Sequence, residues 1–164
     1  MIEYKIRDAK KEDCAVIREL IQELADYEKM PDGPKVSVEE LVNDGFGPNP
    51  YFYALVCQVN TKIIGYSIYF YTYSTWEGRV VYIEDIYVQE SYRGKGIGTA
   101  FIKHVAKIAV SKSCQRLELS VLNWNTASRK FYESLGGVDL TESEGWNKYR
   151  FSGNALLDLA KESA

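Results

Sequence analysis

One histidine, His104, and three cysteines are the only imidazole and thiol groups that the 164 residues offer to a metal. A histidine cluster is therefore excluded, and Cys14, Cys57 and Cys114 lack the CxxC spacing of a zinc site. Their odd number and wide separation also argue against a disulfide framework, so a reducing, cytoplasmic setting is expected. No apolar run reaches the ~20 residues needed to cross a bilayer, and no membrane partner is expected. The opening "MIEYKIRDAKKED" has no apolar stretch, so no secretory leader is expected either. Surplus positive charge is missing too. The net charge is −3 with acids and bases interspersed, which argues against a nucleic-acid partner but leaves a cationic ligand compatible.

What the chain does hold is apolar and aromatic. At 46% hydrophobic with 13 tyrosines, residues 1–164 are expected to form a single domain. "IEYKIRDA" is a short strand candidate. Cys14, Ile17, Leu20, Ile21, Leu24 and Tyr27 then recur at helical spacing until "KMPDGP" stops the run. A second helix fits Val38 to Asp44. "YFYALVCQV", "IIGYSIYFYTYS" and "RVVYIEDIYV", joined by short turns, predict an antiparallel meander. Ile97, Phe101, Val105 and Ile108 predict a helix from about Gly96 to Lys112. "RLELSVLNW" is another strand. "NTASRKFYESLGG" is another helix, with Asn125 as N-cap and Gly136 or Gly137 as C-cap. "WNKYRFSG" and "NALLDLAKES" read as a last strand and a terminal helix. This order predicts an α/β domain with a mixed sheet.

The segment with most chemical content is "YRGKGIGTAF", where Gly94, Gly96 and Gly98 alternate between a strand and a helix. A helix start presents unpaired N–H groups and the positive end of its dipole, and phosphates bind there when side chains do not block them. The glycines remove those side chains, while Arg93 and Lys95 add charge. A pyrophosphate cradle is the physical inference; the alternative is a tight turn that needs glycine only for its backbone angles. The spacing is not that of a P-loop, and Thr99 stands where a dinucleotide fingerprint needs its last glycine.

Arg93 to Gly98 resembles the R/Q-x-x-G-x-G/A loop of the GCN5-related N-acetyltransferase (GNAT) superfamily. "NTASRKFYESLGG" resembles that superfamily's N-x-x-A-x-x-x-Y-x-x-x-G helix, with Asn125, Tyr132 and Gly136 in register and Ser128 in place of alanine. From about Tyr4 to Ala160 the chain is similar to the diamine acetyltransferase family. "YSTWEGR" and "EDIYV" are most like its thialysine-acetylating branch. The resemblance implies the GNAT fold, a mixed and mostly antiparallel central sheet flanked by helices. It also implies acetyl-CoA as co-substrate without a metal, a homodimer, and small primary amines as acceptors.

Acetyl transfer to an amine sets physical demands. An alkylammonium, with a reference pKa of ~10.4, must lose its proton before attack. The carbonyl oxygen needs hydrogen-bond donors as it gains charge, and the departing sulfur benefits from a proton. Tyr132 is the candidate general acid, since a phenol keeps its proton at neutral pH; otherwise it packs a helix on the sheet. Glu84 and Asp85 interrupt an apolar strand, and strand alternation predicts that they face opposite sides. By resemblance Glu84 binds the amine and serves as a water-mediated base; an edge-strand pair facing solvent is the alternative. Asp85 is either a substrate contact or a structural ion-pair partner. The backbones of Ile86, Tyr87 and Val88 are expected to hold the pantetheine arm. The loop Arg93, Gly94, Lys95, Gly96, Ile97, Gly98 and Thr99, with Asn125 and Ser128, is expected to bind the rest of the coenzyme. Tyr27 and Glu28 match the family's substrate pair. Trp76 and Trp146 are expected to wall the amine site by cation–π contact, unless they are simply buried. Polyamine-acting members carry an aspartate where this chain has Ser74, which favours shorter amines. A protein lysine acceptor, or a CoA-binding module without turnover, are the competing readings.

Overall fold

Alternation of apolar and polar residues lays down four strands before the glycines and a fifth after them. The computed structural model, which describes residues 2–161, places these as β1 (Lys5–Asp8), β2 (Tyr53–Val59), β3 (Lys62–Ser74), β4 (Gly78–Val88) and β5 (Arg116–Leu119). The helices are α1 (Cys14–Tyr27), α2 (Val38–Phe46), α3 (Ile97–Ser111), α4 (Thr126–Ser134) and α5 (Asn154–Leu159). The sheet order is β1-β2-β3-β4-β5. Its first four strands are antiparallel neighbours, and β5 joins β4 in parallel. A parallel neighbour requires a crossover, which α3 supplies. The expected α/β class, with a mixed and mostly antiparallel sheet, is what the chain forms.

Two compact units are present, one up to Leu122 and one from Asn123. In the first, both faces of the sheet are covered. Ile97, Phe101, Val105 and Ala109 of α3 pack on Leu55, Cys57, Ile64, Val81 and Ile83. Cys14, Ile17, Leu20 and Leu41 of α1 and α2 pack on Val56, Tyr66, Ile68 and Tyr87 across the sheet. Each large apolar side chain fully removed from water contributes about 1.5–3 kcal/mol, so these two layers fix the sheet between its helices. Ser37 caps α2, its hydroxyl accepting from the Glu40 amide at 3.1 Å. At the start of α1 the Asp13 carboxylate accepts from both Arg7 terminal nitrogens, at 2.7 and 3.1 Å, and from the Lys10 amide at 2.8 Å.

In the second unit Asn125 caps α4 as expected, its Oδ1 accepting from the Ser128 amide at 3.2 Å. Gly136 comes just after the helix with φ +92°, the left-handed geometry of a C-terminal cap. The strand expected over Trp146–Gly153 is not formed. Alternating residues make a strand only by pairing, and among the described residues no ladder reaches this segment. β5 is likewise shorter than "RLELSVLNW" suggested, because its pairing with β4 ends at Leu119. The terminal helix runs Asn154–Leu159, and the expected end at Ser163 lies outside the described residues.

Candidate active site

The β3–β4 ladder slips by one residue. Ile68 pairs with Asp85 and Tyr69 with Ile83, which leaves Glu84 as the extra residue of a bulge. A bulge resets side-chain alternation and re-aims the residues beyond it. Ile83 points into the α3-side core, so Glu84 turns to the α1 side. Asp85 lands there too: its Oδ2 accepts from the hydroxyl of Tyr66, a residue of the α1-side core, at 2.9 Å. The expectation that Glu84 and Asp85 face opposite sides is therefore overturned, and the cause is the bulge.

The α1 side of this bulge is negative. Burial pushes the half-buried Asp85 carboxyl above the usual carboxylate range; the Tyr66 hydrogen bond opposes that push and Glu84 adds to it. Burial also raises Glu28, just beyond α1, and the charge of Asp85 raises it further. Carboxylates that desolvate and repel one another gain by taking up a cation between them. A few residues away Glu23 is fixed by the Tyr87 hydroxyl at 3.0 Å and the Gln89 amide at 2.9 Å.

The other edge of β4 is open beyond the bulge. β5 pairs with β4 only over Val80–Ile83, so among the described residues Ile86, Tyr87 and Val88 have no strand neighbour on that side. Their side chains are spoken for, Ile86 and Val88 in the α3-side core and Tyr87 in the α1-side core. What they present to the opening is backbone. The Val88 carbonyl accepts from Arg93 Nε at 2.9 Å.

The glycine loop comes directly after β4. Gly94 and Gly96 hold φ of +71° and +81°, which glycine tolerates and other residues resist. A Cβ at either would meet nothing within 4 Å, so the space over the loop is open. Gly96 is the N-cap of α3, with no side chain capping the helix. Its carbonyl accepts from the Ala100 amide at 3.0 Å. An uncapped helix start under open space suits a diphosphate, and the residues present fit that group. Lys95 Nζ donates to the Ser91 carbonyl at 2.8 Å and lies 5.2 Å from the Tyr92 ring centre. Arg93 does not simply add charge to the loop. Its guanidinium lies 4.9 Å from the Tyr27 ring centre and 5.5 Å from that of Tyr87, so it joins the loop to the end of α1.

The first unit thus brings together Tyr27, Glu28, Glu84, Asp85, the Ile86–Val88 backbone and the loop from Arg93 to Thr99. Trp76 is not brought in. It sits in the β3–β4 turn, 83% exposed. The six steps along β4 from Gly78 to Glu84 span about 20 Å and separate this turn from the carboxylates. Its expected place in the wall of the same chain's amine site is corrected accordingly. In the second unit Ser128 and Tyr132 lie one turn apart on α4, and burial pushes the Tyr132 phenol above its ordinary value. Trp146 lies beyond α4, outside any helix or strand. Sequence reasoning missed Tyr66, Glu23 and Gln89. Tyr66 is one tyrosine among four in β3, and Glu23 one acid on an amphipathic helix, so neither carried a signal.

Comparison with known proteins fits this geometry. The model of the acetyltransferase (GNAT) family matches residues 15–137. Thialysine N-epsilon-acetyltransferase of Bos taurus is 47% identical over 163 residues, covering 94% of this chain and 96% of that protein. Spermidine/spermine N(1)-acetyltransferase-like protein 1 of Homo sapiens is 40% identical across 97% of this chain and 24% of its own length. Among solved structures, an integron cassette protein from the mobile metagenome of V. cholerae is similar with a TM-score of 0.80 at 29% identity, covering 99% and 100% of the two chains.

Proposed function

The chain belongs to the acetyltransferase (GNAT) family and is an N-acetyltransferase acting on small amines, and from that premise we propose that it acetylates thialysine, a lysine-like compound or a small diamine with acetyl-CoA. GNAT acetyltransferases use acetyl-CoA, which supplies the activated acyl group. The observation that carries the proposal is the open, uncapped start of α3 under Gly94 and Gly96, beside a length of β4 with one free edge.

Each residue then has a role. The amides from Gly94 to Thr99 receive the diphosphate, with Arg93 and Lys95 nearby. The backbones of Ile86, Tyr87 and Val88 continue strand-like bonding to the pantetheine arm. Asn125 fixes the start of α4, and it and Ser128 are assigned to coenzyme binding by the family likeness. Glu28 and Asp85, with Tyr27, receive cationic groups of the acceptor. Glu84, which is exposed, takes the ammonium proton through water. The Tyr132 hydroxyl, a phenol whose ionisation burial makes harder still, is the general acid. Trp146 is assigned to the acceptor by the likeness alone.

A homodimer and a cytoplasmic location belong to the same proposal, as does a single domain over residues 1–164. The family match supports the last point, since it runs through both units. No helix among the described residues is long and apolar enough to cross a membrane.

Polyamine acetylation is the second reading, supported by the Homo sapiens relative. Against it, Ser74 has no charge, and its hydroxyl accepts from the Trp76 and Glu77 amides, both at 3.2 Å, to close the hairpin. Transfer from radiolabelled acetyl-CoA to thialysine, lysine, putrescine, spermidine, spermine and a histone peptide separates these. The expected order places thialysine or lysine first in kcat/KM. Preference for the peptide would overturn the small-amine assignment.

A further inference from the structure

Tyr66 heads the fully buried side chains by volume, with 0% of its surface exposed, and it lies in the α1-side core rather than on the candidate site's surface. Packing there asks only for an aromatic ring. The hydroxyl needs a reason, because a buried O–H without a partner is costly. Its partner is Asp85 Oδ2 at 2.9 Å. Burial, and then the charge of Asp85, push the phenol well above its ordinary value, so the oxygen keeps its proton and stays a donor. Asp85 sits immediately after the bulge, where backbone alone does not dictate which way a carboxylate turns. With Oδ2 engaged by Tyr66, Oδ1 is the oxygen left for another partner. The ionisable groups that act on this pair are Glu28 from the end of α1, and Glu84 and Tyr87 from β4.

We propose that Tyr66 is a positioning residue that sets the charge specificity of the acceptor pocket: its hydroxyl holds Asp85 turned toward Glu28, so that the two carboxylates together receive a second ammonium on the acceptor while Glu84 serves the reacting amine. This deepens the function proposed above and rests on it. The acceptor class it selects carries two cationic groups, either the α-ammonium of a lysine-like compound or the far ammonium of a diamine. A monoamine has nothing to place between Glu28 and Asp85.

The test compares cadaverine with pentylamine, which differ by one ammonium, in the wild type, Tyr66→Phe, Asp85→Asn and the double variant. Phenylalanine keeps the buried ring, and thermal melting confirms that the fold is retained. Loss of a hydrogen bond to a charged group predicts about a tenfold or larger rise in KM for cadaverine in Tyr66→Phe. The KM for pentylamine, the KM for acetyl-CoA and both kcat values stay unchanged, a split that a merely structural role would not produce. In the Asp85→Asn background, Tyr66→Phe has no further effect on the cadaverine-to-pentylamine KM ratio, because the interaction it served is already gone. A ratio that does not move in Tyr66→Phe, or effects of the two substitutions that simply multiply, overturns the proposal. Wild-type protein that acetylates thialysine but neither of these amines overturns the two-ammonium pocket, whereas protein that acetylates none of the three refutes instead the small-amine reading beneath it.

Discussion

Replacing Gly96 with alanine separates what the backbone needs from what a ligand needs. Gly96 holds φ +81° with nothing within 4 Å of an added Cβ, so the methyl meets no neighbour and the folded protein bears only the torsional cost. That cost is about 1–2 kcal/mol for an L-residue in the left-handed region. In a chain of this length each kcal/mol moves the melting point by roughly 2–4 °C, so Gly96→Ala melts about 2–8 °C lower than wild type. Gly78 is the matched control. It too has positive φ, +97°, and nothing within 4 Å, but it begins β4 at the far end of the strand from the loop. Gly78→Ala loses a similar amount of stability. The two variants part company in calorimetric titration with acetyl-CoA. A methyl at position 96 stands where the diphosphate would approach the α3 amides. Loss of one charge-assisted bond there raises Kd about ten- to a hundredfold. Gly78→Ala keeps the wild-type Kd. If Gly96→Ala binds acetyl-CoA as tightly as Gly78→Ala does, the loop is a turn and nothing more.

Tyr132→Phe binds acetyl-CoA normally but lowers kcat by about 10²–10⁴, the range for loss of a general acid; an unchanged rate removes that role. Asp85→Asn melts higher than wild type while weakening cationic acceptors. Because the folded-state value of Asp85 is raised, its ionised form is penalised by folding, and stability contributed by protonation appears as pH falls through that raised value. A lower melting point at neutral pH contradicts this. Asp13 behaves oppositely, since hydrogen bonding to Arg7 lowers its folded-state value. Its contribution is present above the ordinary carboxylate range and is lost as pH falls through the lowered value. Asp13→Asn costs about 1–3 kcal/mol at neutral pH and flattens the acid limb of a melting-point series against pH.

The parts of the site that sequence makes legible are those where local backbone chemistry admits few residues. Glycine at left-handed φ announces Gly94, Gly96 and Gly136. A capping amide announces Asn125, which accepts from Ser128 as its position suggested. The bulge is invisible by the same logic. "YIEDIYV" reads identically whether or not β3 slips past it, because register belongs to the pair of strands and the slip lies between Ile68 and Tyr69. Missing the slip put Glu84 and Asp85 on opposite faces and hid Tyr66, whose only distinguishing atom is one oxygen among those of 13 tyrosines. The place expected for Trp76 failed for a related reason: nothing in its local sequence shows how far the length of β4 carries it from the carboxylates. The segment from Trp146 to Gly153 has strand composition without a strand, since composition cannot supply a neighbour.

Three consecutive positions, 86 to 88, answer to two masters through different atoms. Their side chains serve the two apolar layers, while the proposed coenzyme contact uses only carbonyl and amide groups that every amino acid except proline carries. Ordinary side-chain replacement at Ile86 would therefore report loss of packing and stay silent about recognition. Exchanging a single amide there for an ester, with the apolar group kept, is the kind of chemical surgery that would let the hidden role speak.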